Sequence, residues 1–186
     1  RSLHPGEQEV AHGMGNQFPV LRFEALQDVG VGTDDEVRAG FFSEAVRNKA
    51  FSVAALEPGK IAADLGAGTG FITEGLLQKG LSVIAVDQSA AMLEQMGKKF
   101  GRSQKITYRR AGAEALPMPD SSVHYVFANM YLHHVERPPQ AIAEAARILK
   151  PGGKLVITDL DEHNFEFLRT EQQDRWMGFQ REDVRG

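Results

Sequence analysis

The chain has 186 residues, 42% hydrophobic and 25% charged, with a formal net charge of -4. This composition suits one globular domain with a real core and excludes a fibrous or disordered chain. The charges are interspersed and leave no basic face to track a phosphate backbone, so no nucleic-acid partner is expected. The absence of cysteine removes disulfides, thiolate zinc sites and cysteine nucleophiles, and fits a cytoplasmic setting. No apolar run approaches the ~18 residues of a membrane span, and the N-terminus lacks the order of a signal peptide.

Residues 1–32 are dotted with Gly and Gln, with Phe18 to Leu21 and Phe23 as apolar anchors, and read as an irregular arm or cap ahead of a domain at 33–186. Thr33-Asp34-Asp35-Glu36 is a capping-box pattern followed by apolar positions at helical spacing, which predicts a helix from near Asp34 towards Leu56, ended by Pro58-Gly59. Lys60 to Leu65 reads as a short buried strand running into a glycine-rich turn. A helix over 71–79 closed by Gly80 and a strand over 81–86 ending in Asp87 follow. The alternation continues with a helix from Ser89 to the Gly97–Gly101 region, strands over 106–109 and 123–129, and a helix from Pro138-Pro139 to Leu149. Pro151-Gly152-Gly153 is expected to break that helix before a fifth strand over 154–159. Strands separated by helices of this length predict a doubly wound α/β domain with a mostly parallel sheet.

The turn Asp64-Leu65-Gly66-Ala67-Gly68-Thr69-Gly70 places glycines where a strand meets a helix, so backbone can approach a ligand and the helix N-terminus offers free N–H groups. A nucleotide-like ligand is implied. An NAD site is one reading, because Asp87 lies 17 residues beyond Gly70, close to the ~20 expected of a ribose-binding acid. Against it, the dinucleotide pattern wants its third glycine where this chain has Phe71, and an apolar strand end where it has Asp64.

The runs AADLGAGTG, VIAVD and RILKPGG, with FANMYLHHV over 127–135, resemble the class I S-adenosylmethionine-dependent methyltransferases, and among them the ubiquinone/menaquinone-biosynthesis-type subgroup (methyltransferase type 11). The resemblance spans about Lys60 to Asp159 and implies a Rossmann-like sheet with S-adenosylmethionine as cofactor. It assigns the methionine end to Asp64 and the backbone of Gly66, Ala67, Gly68, Thr69 and Gly70, and the ribose hydroxyls to Asp87 with Gln88 beside it. Adenine would lie near Ala113 and Glu114, under Met92, with Asn129 lining the cofactor side. Where relatives carry an aspartate before the alanine, this chain has Gly112, and it has Val123-His124 where they often have Phe-Asp. Met92 reads equally as core, and His124 as a surface histidine.

Methyl transfer from a sulfonium needs alignment more than acid–base help, because the electrophile arrives activated. If the acceptor must lose a proton, His133 and His134 after the fourth strand are the candidate bases, against the plainer reading that they only hold the neighbouring loop. Asp159, Asp161, Glu162 and His163 form an acidic cluster, but without a second histidine at ligand spacing no metal site is expected. Phe165, Phe167, Leu168, Trp176, Met177 and Phe179 suggest a helix that lines an apolar pocket or covers the sheet. Only five strands are readable. The family's C-terminal antiparallel strands are not, which predicts truncation of the domain, or an edge covered by a partner or by the N-terminal arm. The expected activity is methyl transfer to a small, apolar or aromatic acceptor, with an NAD-dependent oxidoreductase or a silent cofactor-binding subunit as alternatives.

Overall fold

The computed structural model describes residues 10–12, 19–22, 43–101, 103–159 and 175–176. Two short strands, β1 (Val10–His12) and β2 (Pro19–Arg22), pair antiparallel. The N-terminal arm, expected to be irregular, therefore contributes strands. Helix α1 (Glu44–Ala54) starts at Ser43, whose hydroxyl accepts from the Val46 N–H and satisfies one donor that a helix start leaves orphaned. The capping box at 33–36 lies outside the described residues. Helix α1 ends with Ala55 in the left-handed region (φ 49°), its N–H returning to the Ser52 carbonyl, ahead of the Pro58-Gly59 break.

Strand β3 (Ile61–Leu65), helix α2 (Phe71–Gln78), strand β4 (Ser82–Asp87), helix α3 (Ala90–Phe100) and strand β5 (Ile106–Arg110) follow. After them come strand β6 (Val123–Asn129), a short 3-10 turn at Leu132–His134, helix α4 (Pro138–Ile148) and strand β7 (Leu149–Thr158). Pro138 and Pro139 open α4, where their missing N–H groups cost nothing.

The sheet order is β1-β2-β7-β6-β3-β4-β5, with β7, β6, β3, β4 and β5 mutually parallel. Connections run outwards from β3 in one direction and from β6 in the other. The strand order reverses between these two, where an open α/β sheet forms its ligand crevice. Alternation along the strands separates two cores. Ala62, Val83, Tyr125, Phe127 and Val156 pack with Ala50, Phe51, Ile72 and Leu76 of α1 and α2. Ala63, Leu65, Val126, Leu155 and Ile157 pack with Ala141, Ala145 and Ile148 of α4 on the other face.

One open alternative is decided and one expectation changes. Strand β2 lies parallel against β7, with Val20 opposite Leu155 and Arg22 opposite Ile157, so the N-terminal arm supplies the cover for the fifth parallel strand's edge. Pro151-Gly152-Gly153 lies inside β7 rather than before it. Val123 faces Leu149 while Tyr125 faces Lys154, so residues 150–153 bulge out against His124. Gly152 (φ 76°) makes the bend, and a bulge accommodates what an unbroken ladder could not.

Gly153→Ala tests how tightly this bulge is packed. Its Cβ would stand 2.8 Å from the Lys150 carbonyl oxygen and 2.9 Å from that of His124, and neither backbone atom can rotate away. A loss of about 1–3 kcal/mol is expected, the usual cost of overpacking, measured by urea unfolding; an unchanged midpoint would mean that the bulge relaxes freely.

Candidate cofactor site

The turn after β3 holds Gly66, Gly68 and Gly70 at φ 66°, 53° and 84°, a region where side chains other than glycine are strained. Each glycine has its own surroundings. A Cβ at Gly70 would meet Phe100 Cε2 at 2.6 Å and Met96 Cε at 3.1 Å, so this glycine lets α3 close on the start of α2. At Gly68 the nearest atom to a Cβ would be the Gly66 carbonyl oxygen, 3.9 Å away, so the space on that side of the turn is clear. A Cβ at Gly66 would fall within the ring of Tyr131. The turn is closed by the Ala67 N–H on the Val86 carbonyl (3.0 Å) and the Gly70 N–H on the Ala67 carbonyl (2.8 Å); Thr69 is exposed at its tip.

The two acids expected at the site have different environments. Asp64 is only 2% exposed and lies beneath the turn, where its Oδ2 accepts from the Thr73 N–H (2.9 Å) and hydroxyl (2.6 Å) in the first turn of α2. Burial, opposed by these two bonds and assisted by the charge of Asp87, pushes its carboxyl up to about 7. Asp87 is half-buried at the C-terminal end of β4. Its Oδ2 accepts from the Gly68 N–H and its Oδ1 from the Ser89 N–H, both at 2.8 Å.

Beyond β5, Gly112 and Ala113 face Gln88, whose Nε2 lies 3.2 Å from where a Gly112 Cβ would stand. Glu114 does not reach towards this space. Its carboxylate accepts from the Arg137 N–H at 2.8 Å and thereby caps α4. Met92 is 36% exposed on α3 and is not core. A clamp that sequence reasoning missed holds this loop: the Arg147 guanidinium donates to the carbonyls of Leu116 and Met118 and to Asp120, while Glu144 takes the Leu116 N–H. Glu144 and Arg147 are three apart on one helix, but nothing in their spacing shows that they grip a loop far along the chain.

On the other side of the crevice, Asn129 is buried and its carbonyl accepts the Thr158 hydroxyl at the ends of β6 and β7. Asp159, placed in the sequence within an acidic cluster, instead organises the loop after β6. Its Oδ2 accepts from the N–H groups of Tyr131 (3.3 Å) and Leu132 (2.8 Å), and its Oδ1 from His133 Nδ1 (2.6 Å). His133 is 3% exposed, and its carbonyl takes the N–H groups of Arg175 and Trp176. His134 stands exposed beside it, the ring centroids 4.0 Å apart. The Trp176 indole N–H donates to the Val135 carbonyl (2.8 Å). His124 lies away from this rim, accepting the Ile61 N–H at the start of β3. Among the described residues no group of three His, Asp or Glu side chains could hold a metal; residues 161–163, like the apolar and aromatic positions 165, 167, 168, 177 and 179, lie outside them.

The structure thus gathers Gly66 to Gly70, Asp87, Gln88 and Ala113 along the C-terminal ends of three adjacent strands of a Rossmann-like sheet. A family model described as a methyltransferase domain matches residues 63–157, and the chain belongs to that family. Demethylmenaquinone methyltransferase of Renibacterium salmoninarum is 39% identical over 113 residues, 61% of this chain and 46% of that protein. The enzyme of the same name from Tropheryma whipplei is 34% identical over 113 residues, 61% of this chain and 47% of that one. These similarities put the chain in the menaquinone-type subgroup of the class I methyltransferases. It spans less than half the length of the curated relatives it matches. Among solved structures, a Bacillus halodurans chain shares the fold with a TM-score of 0.68 at 21% identity, covering 75% of this chain and 65% of that chain. An S-adenosylmethionine-dependent methyltransferase from Mesorhizobium loti is 28% identical with a TM-score of 0.58, covering 65% of this chain and 56% of that chain. No helix among the described residues is long and apolar enough to cross a membrane.

Asp64→Asn separates the work of the buried acid from its charge. The amide keeps an acceptor for both Thr73 donors and cannot titrate. Because the folded carboxyl is held at about 7 against an ordinary 3.8, the protonated form is favoured in the fold, and its stabilising contribution is lost as pH rises from about 4 to above 7. The parent protein is therefore expected to lose stability relative to Asp64→Asn across that window. Urea midpoints of both proteins at pH 5 and pH 8 check this, and parallel pH profiles would contradict it.

Proposed function

We propose that this chain carries the catalytic domain of an S-adenosylmethionine-dependent methyltransferase that acts on a small apolar or aromatic acceptor. The observation that carries the reading is the coupling of Asp87 to the glycine turn, with the Ala113 N–H one strand further along. Turn, acid and backbone donor lie at the ends of β3, β4 and β5 in that order, the order in which an amino-acid chain, a ribose and a base are joined in the cofactor.

The residues present fit that group. The space on the Cα side of Gly68 is clear, Asp87 is an acceptor-only group at the rim, and the Ala113 N–H lies one strand further along. Asp87 would take the two ribose hydroxyls with the lone pairs that Gly68 and Ser89 leave, since a carboxylate offers about four acceptor positions. Gly66 to Gly70 would take the amino-acid end through backbone, with Asp64 below them setting the start of α2. Ala113 N–H would donate to a base nitrogen, with Gln88 beside it in place of the side chain that Gly112 lacks. When bound, the cofactor supplies a methyl group already activated on a sulfonium.

What remains for the protein is alignment and the exclusion of water. Asp159 and His133 serve this by holding the loop after β6 in one conformation. His133 is a positioning residue in this reading, and His134, exposed on the same loop, is the group placed to take a proton where the acceptor must lose one. The relatives named for demethylmenaquinone support a quinone-like aromatic acceptor.

Calorimetry with S-adenosylhomocysteine and, separately, NAD tests the cofactor assignment. Binding of the former alone is expected, while tight NAD binding without an adenosylhomocysteine signal rejects it. Asp87→Ala is expected to weaken adenosylhomocysteine by at least about 1 kcal/mol, the scale of one charge-assisted hydrogen bond, and unchanged affinity would refute the ribose role. Transfer of radiolabelled methyl groups into a metabolite extract by the full-length protein tests the reaction itself.

A further inference from the structure

We propose that Tyr131 is a gate on the cofactor site: its ring and hydroxyl occupy the ground between the glycine turn and the Ala113 N–H, and must leave it before a nucleoside can enter. The inference rests on the cofactor reading above and adds to it a residue to which the run FANMYLHHV assigns no role of its own.

The geometry carries it. Tyr131 comes from the loop after β6, on one side of β3, yet its hydroxyl accepts the Ala113 N–H at 3.3 Å beyond β5, on the other side. In between, its ring lies against Gly66 closely enough that no Cβ fits there. The strands stand in the order β6-β3-β4-β5, so the side chain crosses in front of Asp87 at the end of β4. Gln88 lies within hydrogen-bonding reach of the hydroxyl, and the charges of Asp87 and Glu114 are both near enough to act on it. Burial pushes the phenol up from its ordinary value, so it stays neutral and acts as an ordinary hydroxyl. The ring lies on the glycine backbone assigned to the cofactor's amino-acid end, and the hydroxyl takes the Ala113 N–H assigned to its base, so the side chain overlaps both ends of the site.

The same loop shows how the gate could open. Tyr131 N–H and Leu132 N–H are fixed on Asp159, the Met130 N–H donates to the Thr158 carbonyl at 2.7 Å, and His133 is held at its ring. Met130 occupies the left-handed region (φ 50°) without being glycine, a conformation that persists only where its surroundings enforce it. The backbone is anchored on both sides, so the ring moves by side-chain rotation and the loop stays in place. The hydroxyl is held by one long hydrogen bond from Ala113 and the contact with Gln88, and the ring by packing against the apolar core on the α4 side. A base would replace both bonds, and water would receive the freed hydroxyl. Apparent affinity is then the intrinsic affinity scaled by the fraction of molecules with the ring out.

The test is calorimetric and kinetic binding of S-adenosylhomocysteine to the parent protein, Tyr131→Phe and Tyr131→Ala, each checked by circular dichroism and melting. Removing the ring is expected to tighten binding about tenfold or more, and removing only the hydroxyl by about threefold, the effect of one neutral hydrogen bond. Association to the parent should level off at high ligand concentration, limited by opening, while Tyr131→Ala associates in proportion to ligand. Equal or weaker binding by both variants overturns the gate and leaves the cofactor reading standing. If none of the three binds, the cofactor reading falls and takes the gate with it. Should Tyr131→Ala not fold, Tyr131→Phe decides: tighter binding supports the gate, unchanged or weaker binding overturns it.

Discussion

The carboxylate of Asp87 is the point from which the rest of the site is built. One oxygen takes the Gly68 N–H of the turn after β3 and the other takes the Ser89 N–H at the start of α3. A left-handed glycine turn exposes its N–H groups, and such groups, when half-buried, need an acceptor. Asp87 supplies one while keeping an edge at the rim. Ser89, held by that carboxylate, in turn caps α3 by accepting the Met92 N–H. Helix α3 then closes on Gly70 through Phe100 and Met96, where only a glycine leaves room. Glycine turn, Asp87 and helix entry are therefore parts of one structure.

Asp64 and Asp87 show how environment divides roles between two chemically identical groups. Asp64 is sealed beneath the turn with both Thr73 donors on one oxygen, and burial raises its proton affinity. Its task is internal, because it fixes the first turn of α2 and hence the direction in which the glycine N–H groups point. Asp87, at the rim, is half-buried and meets solvent. Reading Asp64 as a direct partner of the methionine end follows from its place in the motif; in the structure it is buried beneath the turn, with both Thr73 donors on one oxygen.

The alternation of strand and helix was legible because each element carries its own signal. Ser89 before an amphipathic stretch, paired prolines at the start of α4 and the apolar runs of β3, β4 and β6 all bracket elements found within a residue or two of their expected ends. The misread parts depend on partners far along the chain. The arm contributes β2 because β7 offers an open edge, and no local pattern in 19–22 records that edge. Pro151-Gly152-Gly153 looks like a terminator, but His124 on the neighbouring strand lets it become a bulge. Within the site, the glycine turn and Asp87 were legible because their spacing is local. The Arg147–Glu144 clamp, the Asp159–His133 pair and the reach of Tyr131 to Ala113 span 18 to 31 residues and leave no local trace.

This division has a consequence for function. The half of the crevice proposed for the cofactor rests on β3, β4 and β5, with backbone groups fixed by the carboxylates of Asp64 and Asp87. The half proposed for the acceptor rests on β6 and β7, with its loop fixed by Asp159. The ring of Tyr131 lies on Gly66, at the place where the strand order reverses, and so belongs sterically to both halves. Anchoring the loop through Asp159 leaves its side chain as the adjustable part between two rigid frames. A substitution at Asp159 would therefore reach the cofactor half through the placement of that ring, although Asp159 itself touches none of the glycine turn's donors, and its effects should be read in ligand affinity as well as in the chemistry of transfer.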